Sequence, residues 1–190
     1  MTASRLKLSL LLAGIAFSGL ALLSWTQEWF ALTLLDAAVL SVTGEIAAPA
    51  LTALALTGLV LVGALSIAGP MFRVILGSLQ ALLGFTVGLS AVLAIANPLT
   101  SSAAAITAAT GVSGELVREQ VASSTSTLWP WAALVAGVLL VATGILVVAT
   151  ATRWPGATRK YQAVRMTPAD GARTSVDDWD ALSDGDDPTR

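Results

Sequence analysis

The chain has 190 residues, 55% of them hydrophobic and only 12% charged, with a mean hydropathy of +0.79, a balance far from that of a soluble domain. Cysteine and histidine are both absent, which excludes disulfides, thiolate chemistry, imidazole acid–base catalysis and the usual zinc sites. The net charge of −2 is unevenly distributed, and its segregation along the chain says more than the total.

In chain order, Arg5 and Lys7 precede a first uncharged run at 8–25. Basic residues before an apolar stretch also open a signal peptide, but this core is longer than a typical signal core and "GLALLSWTQ" offers no A-x-A cleavage site. The run therefore reads as an uncleaved first helix. The loop after it, "EWFALTLLDAAVLSVTGEIAAP", holds Glu28, Asp36 and Glu45 with no basic residue. Its β-branched residues and Gly44 allow a short extended segment or hairpin between Trp29 and Ile46, with a helical alternative left open.

A second run at 47–68 and a third at 74–96 are joined by a tight "GPMFR" link that contains Arg73, so these two helices are expected to be antiparallel neighbours. Asn97-Pro98 ends the third helix. In the long loop that follows, Ser113 with Glu115 is placed to open a short helix carrying Leu116, Val117 and Val121 on one side. The fourth run is 131–151. At 1.5 Å per residue the four runs reach roughly 27 to 35 Å, enough for a hydrocarbon core of about 30 Å. None contains Asp, Glu, Lys or Arg, so spanning helices are expected rather than buried helices of a soluble fold.

The basic residues set the orientation. Arg5, Lys7 and Arg73 lie on one side with Arg153, Arg159, Lys160 and Arg165, whereas the two longer loops carry mainly acids. This positive-inside pattern places both termini in the cytoplasm of a bacterial plasma membrane protein. The expected fold is an all-α, four-helix transmembrane bundle at 1–152 with two longer outer loops, followed by a cytoplasmic tail at 153–190. Trp154 and Tyr161 suit the inner headgroup zone, and Trp25, Trp29, Trp129 and Trp131 the outer one, all as interfacial anchors in contact with the lipid bilayer.

Small residues supply the signals inside the membrane. Gly77, Ala81, Gly84 and Gly88 recur at intervals of four, three and four along one face of the third helix, and Ala133, Gly137 and Gly144 on the fourth and Gly14 and Ser18 on the first form similar grooves. Close helix packing is their physical meaning, within one chain or in a homo-oligomer. Gln80 is the one amide well inside a span, a residue that more often ties helices together than contacts cargo.

Spans without ionisable residues weigh against proton- or ion-coupled transport, and no paired broken helices mark a midplane site. The acids Glu28, Asp36, Glu45, Glu115 and Glu119 come with no nucleophile and base at a suggestive spacing, so no enzyme and no cofactor are expected. No phosphate loop or basic groove points to nucleic acid.

Beyond Met166 seven aspartates face only Arg173 and Arg190, mostly within "SVDDWDALSDGDDPTR". Such a tail is expected to be solvated and disordered. Trp179 and Leu182, three apart, nevertheless form one apolar helical face among Asp180, Asp186 and Asp187, a pattern suited to docking on a cytoplasmic protein. A solubilising tail is the alternative, and a calcium loop lacks its closing glutamate.

"STLWPWAALVAGVLLVATGILVVATATRWPGATRKYQ" with "DDWDALSDGDDPT", and "GEIAAPALTALALTGLVLVGAL" before them, resemble the actinobacterial tryptophan-associated, or Trp biosynthesis-associated, transmembrane proteins. The most specific marks are Trp129-Pro130-Trp131, Arg153-Trp154-Pro155-Gly156 with Tyr161, and the closing Trp179, Asp180, Asp186, Asp187 and Pro188. The resemblance implies four-helix membrane proteins whose genes tend to lie beside tryptophan biosynthesis genes, with no biochemical activity to carry over. Eight arginines against two lysines are compatible with a GC-rich bacterial source. Two functions follow as expectations: a non-enzymatic scaffold or regulator acting through its tail, or a passive transporter or channel for tryptophan or a related aromatic metabolite.

Overall fold

The computed structural model describes residues 3–154, all within the first of two units, Met1–Ala157 and Thr158–Arg190. The elements are α1 (Ala3–Trp25), β1 (Glu28–Leu34), β2 (Val39–Thr43), the single turn α2 (Gly44–Ala47), α3 (Leu51–Ile67), α4 (Pro70–Ala96), the single turn α5 (Pro98–Ser101), α6 (Ala103–Thr110), a 3-10 helix (Gly114–Gln120), β3 (Val121–Ser126) and α7 (Trp129–Thr150). The described chain is mostly helical, and α1, α4 and α7 are long and apolar enough to cross a membrane.

α3 is an apolar helix of 17 residues, shorter than the run expected at 47–68. Pro49 accounts for the difference. The residue before a proline avoids the helical region, and Ala48 sits at φ −145°, ψ 68°, which separates α2 from α3. Pro70 acts in the opposite sense: as the first residue of α4 its missing N–H removes no helical hydrogen bond. The third helix therefore begins at Pro70, and Arg73 lies in its first turn rather than in the link.

The long helices form a closed ring in which α1 packs against α3 and α7, and α4 against α3 and most extensively against α7. The pairs run antiparallel, with Lys7 near Ser66 and Gly14 near Val62 in one, and Gly77 near Gly144 and Gly84 near Gly137 in the other. Small and polar residues face inward. On α1 the buried positions are Leu10, Gly14, Ser18, Ala21 and Ser24, while Leu8, Leu12, Ile15 and Leu23 are exposed. On α4 Gly77, Gln80, Gly84 and Gly88 are buried, while Phe72, Leu82, Phe85 and Leu93 are exposed. A soluble protein would bury the large side chains first. Large apolar residues outside and small ones between the helices are the pattern expected when the surroundings are as apolar as the side chains themselves.

One end of the ring is covered by a three-stranded antiparallel sheet of order β2-β1-β3. Phe30, Leu32 and Leu34 alternate along β1 and are buried against the bundle, as the two-residue repeat of a strand requires. They join Val42 of β2, Ile106 of α6 and Val117 of the 3-10 helix in one core. The sheet modifies the all-α expectation. The hairpin matches the extended alternative for this loop, whereas β3, with the sequence VASSTS and five of its six residues exposed, was not anticipated. The segment after Ser113 forms a 3-10 helix, and Ser113 makes no side-chain cap. It buries Val117 but leaves Leu116 exposed, and Val121 belongs to β3. At the hairpin tip Ala37 takes φ 65°, helped by Asp36, whose Oδ1 accepts the Ala38 N–H at 3.1 Å.

Candidate functional site at the basic end of the bundle

The end opposite the sheet collects Arg5, Lys7, Arg73 and Arg153 among the described residues, while Glu28, Asp36, Glu45, Arg118 and Glu119 belong to the sheet end. Two of these cations do more than mark a side. Lys7 Nζ donates to the Ser66 carbonyl at 2.7 Å, in the last turn of α3. Arg73 Nη1 donates to the carbonyls of Ala151 and Trp154 at 3.2 and 3.3 Å, just past the last turn of α7. The final carbonyls of a helix have no intrahelical partner and carry its negative dipole end, so a cation from the adjoining antiparallel helix is well suited to them.

Arg73 is 2% exposed and Trp154 3%. The guanidinium carbon lies 5.2 Å from the indole centroid, within cation–π range. The indole Nε1 donates to Thr150 Oγ1 at 2.9 Å. Trp154 also packs with Leu10, Leu65 and Val147, which come from α1, α3 and α7. It is thus a wedge that closes the basic end, not the exposed headgroup anchor expected from the sequence. The physical reason is that a buried indole needs one polar partner and apolar walls, and Thr150 with this cluster supplies both.

Trp29 is corrected in the same way. It is fully buried, with its Nε1 donating to the Ser24 carbonyl at 2.8 Å, because the β1 strand turns it back onto the end of α1. Gly44 makes room for this: a Cβ there would stand 2.7 Å from both the Trp25 carbonyl oxygen and Trp29 Nε1. Trp129 is half-buried against the core, and Ser24 Oγ donates to its carbonyl at 2.6 Å. Trp131 is 51% exposed. Tyr161 and the tail residues Trp179, Asp180, Leu182, Asp186 and Asp187 lie outside the described residues.

The small residues of α4 meet α7. A Cβ at Gly84 would stand 2.6 Å from the Val141 nitrogen and 2.7 Å from the Gly137 oxygen, and one at Gly144 would stand 2.6 Å from the Ala81 nitrogen and the Gly77 oxygen. At Gly77 the nearest atoms are Val147 Cγ1 at 2.9 Å and Val148 Cγ2 at 3.0 Å. Gly88 has room for a Cβ of its own, 3.8 Å from Leu134 Cδ1. Beside this seam an apolar groove of about 240 Å³, lined by Gly84, Phe85, Gly88, Leu89, Leu134 and Val138 among others, opens on the outer surface of the ring. Gln80 is 1% exposed, and neither end of its amide finds a partner among the described residues. It does not tie helices together directly.

Long apolar helices whose small residues face inward define a helical membrane protein. The particular family follows from comparison of the sequence: the tryptophan-associated transmembrane protein family matches residues 7–189, and the chain belongs to it. Comparison with curated proteins and with solved structures gives no match.

Proposed function

We propose that this protein is a non-enzymatic scaffold or regulator of the bacterial plasma membrane. In this reading α3 joins the three longer helices as a fourth span, and the basic end faces the cytoplasm. Both termini then lie inside, and the sheet end lies outside. The charge sorting between the two ends supports that orientation, since Lys and Arg are retained on the cytoplasmic side. With local thinning of the bilayer, the 17 residues of α3 reach across a core of about 30 Å at modest cost.

The observation that carries the reading is the clasp of Arg73 on Trp154. The seam between α4 and α7 is closed by backbone contact, and its basic end is locked by a buried arginine where the 153–190 tail begins. Such an arrangement suits a rigid platform that presents a recruiting segment. The segment is 153–190, with Trp179 and Leu182 as the apolar face and Asp180, Asp186 and Asp187 as flanking acids. The partner is a soluble cytoplasmic protein, and the family's association with tryptophan makes enzymes of tryptophan synthesis the first to probe. The full-length protein in native membranes should copurify such an enzyme, and Trp179→Ala should lose it while the protein remains in the membrane. Equal recovery with the variant would remove the tail from this role.

A second reading, passive passage of tryptophan or a related aromatic metabolite, draws on the buried amide of Gln80. Saturable uptake of radiolabelled tryptophan by sealed proteoliposomes, above that of empty vesicles, would favour it over the scaffold.

A further inference from the structure

We propose that the interior of the bundle holds a single structural water molecule between Gln80 of α4 and Ser18 of α1. Three atoms carry the inference. Gln80 Nε2, Gln80 Oε1 and Ser18 Oγ are buried and have no hydrogen-bond partner among the described residues, and the two residues are 1% and 0% exposed. Buried polar groups in native proteins are almost always satisfied, and the demand is strictest where the surroundings hold neither water nor polar lipid.

Their placement suits one small ligand. Gln80 Nε2 stands 3.2 Å from where a Cβ at Gly14 would lie, so the amide points into the small-residue face of α1. Ser18 is four residues further along that same face and lies against Gly58 of α3. Four residues of helix rise about 6 Å, so the offset along α1 between Gly14 and Ser18 is close to the span of two hydrogen bonds of about 2.8 Å meeting at one oxygen. Apart from Gln80 and Ser18, the nearest atoms that a Cβ at Gly14 or Gly58 would meet belong to the side chains of Val62 and Leu83, which offer no polar atom. A water there has both a donor and an acceptor from the amide and a hydroxyl able to act as either, which meets the two to four polar partners that hold a buried water.

Thr143 of α7 also faces this interior. It is buried, and Gly144 beside it touches Ala81, the neighbour of Gln80. Its hydroxyl hydrogen is committed to the Leu139 carbonyl at 2.7 Å, so it serves at most as a further acceptor. The water ties α1 to α4 across the ring.

The test is a double-mutant cycle on the full-length protein in lipid nanodiscs, with Gln80→Met and Ser18→Ala, which change little volume. Each single variant should lower the unfolding midpoint by a few degrees, and the double variant should lower it by clearly less than the sum, because either change alone already strands the bridge. Additive effects, or single variants that unfold later than the parent, would overturn the proposal, since removing an idle buried polar group stabilises. A second readout does not depend on stability. In protein labelled with ¹⁵N-glutamine, the side-chain resonance lost in Gln80→Met should show a slow cross-relaxation signal to water that disappears in Ser18→Ala. Absence of that signal in the parent protein would equally overturn it.

Discussion

The pairing of α4 with α7 and that of α1 with α3 are both antiparallel and both built on glycine, yet they are different kinds of contact. Along α4–α7 the atoms that a new Cβ would strike are mainly backbone: the Val141 and Ala81 nitrogens and the Gly137 and Gly77 oxygens. Along α1–α3 they are side chains, Val62 Cγ2 at 2.6 Å from a Cβ at Gly14 and Ser18 Oγ beside one at Gly58. A side chain can rotate away, whereas a helix backbone moves only as a unit. Glycine content alone therefore does not measure how rigid a membrane seam is. The identity of the opposing atom does.

Five substitutions at four positions test how far the two seams differ. Gly137→Ala drives a Cβ to within 2.8 Å of the Gly84 oxygen and of Gly88 Cα, and should destabilise the fold by roughly 3 kcal/mol, at the upper end for overpacking, measured by reversible unfolding in mixed micelles. Arg73→Ala leaves the Ala151 and Trp154 carbonyls without their donor and should cost roughly 2 kcal/mol. Arg73→Lys should recover only part of it, because an ammonium lacks the planar face that stacks on Trp154; the same unfolding assay ranks the two. Gly14→Ala meets movable side chains and should cost about 1 kcal/mol, clearly less than Gly137→Ala. Gly63→Ala meets nothing within 4 Å and should be neutral or stabilising by about 0.5 kcal/mol through helix propensity. Equal losses at Gly137 and Gly14 would erase the distinction between the two seams.

Much of this organisation was legible from residue order. The uncharged runs located the long helices because no charged side chain interrupts them, and the four-three-four interval of Gly77, Ala81, Gly84 and Gly88 marked the α4 face that meets α7. What escaped depended on tertiary partners. Arg73 looked like part of a link because Gly69 and Pro70 signal a tight turn; as a first-turn proline Pro70 starts α4, and that signal was present in the sequence. Trp154 looked interfacial because a tryptophan among basic residues usually is, and its burial depends on Thr150, Leu10 and Leu65 arriving together. β3 has no apolar alternation to betray it, since it is a strand only by pairing with β1. The candidate recruiting tail, with Trp179 at its centre, rests on sequence pattern alone.

The glycine face of α4 is filled by α7 of the same chain. The chain contains no cysteine, so a Gly88→Cys, Leu134→Cys double variant carries its only two thiols on opposite sides of the seam, where a Cβ at Gly88 would lie 3.8 Å from the Leu134 side chain. Treatment in native membranes with a short bifunctional thiol reagent should give a cross-linked species that still migrates as a monomer and protects both cysteines from later labelling. A ladder of dimers with little internal cross-link would instead place α7 of another copy against α4 and contradict the account.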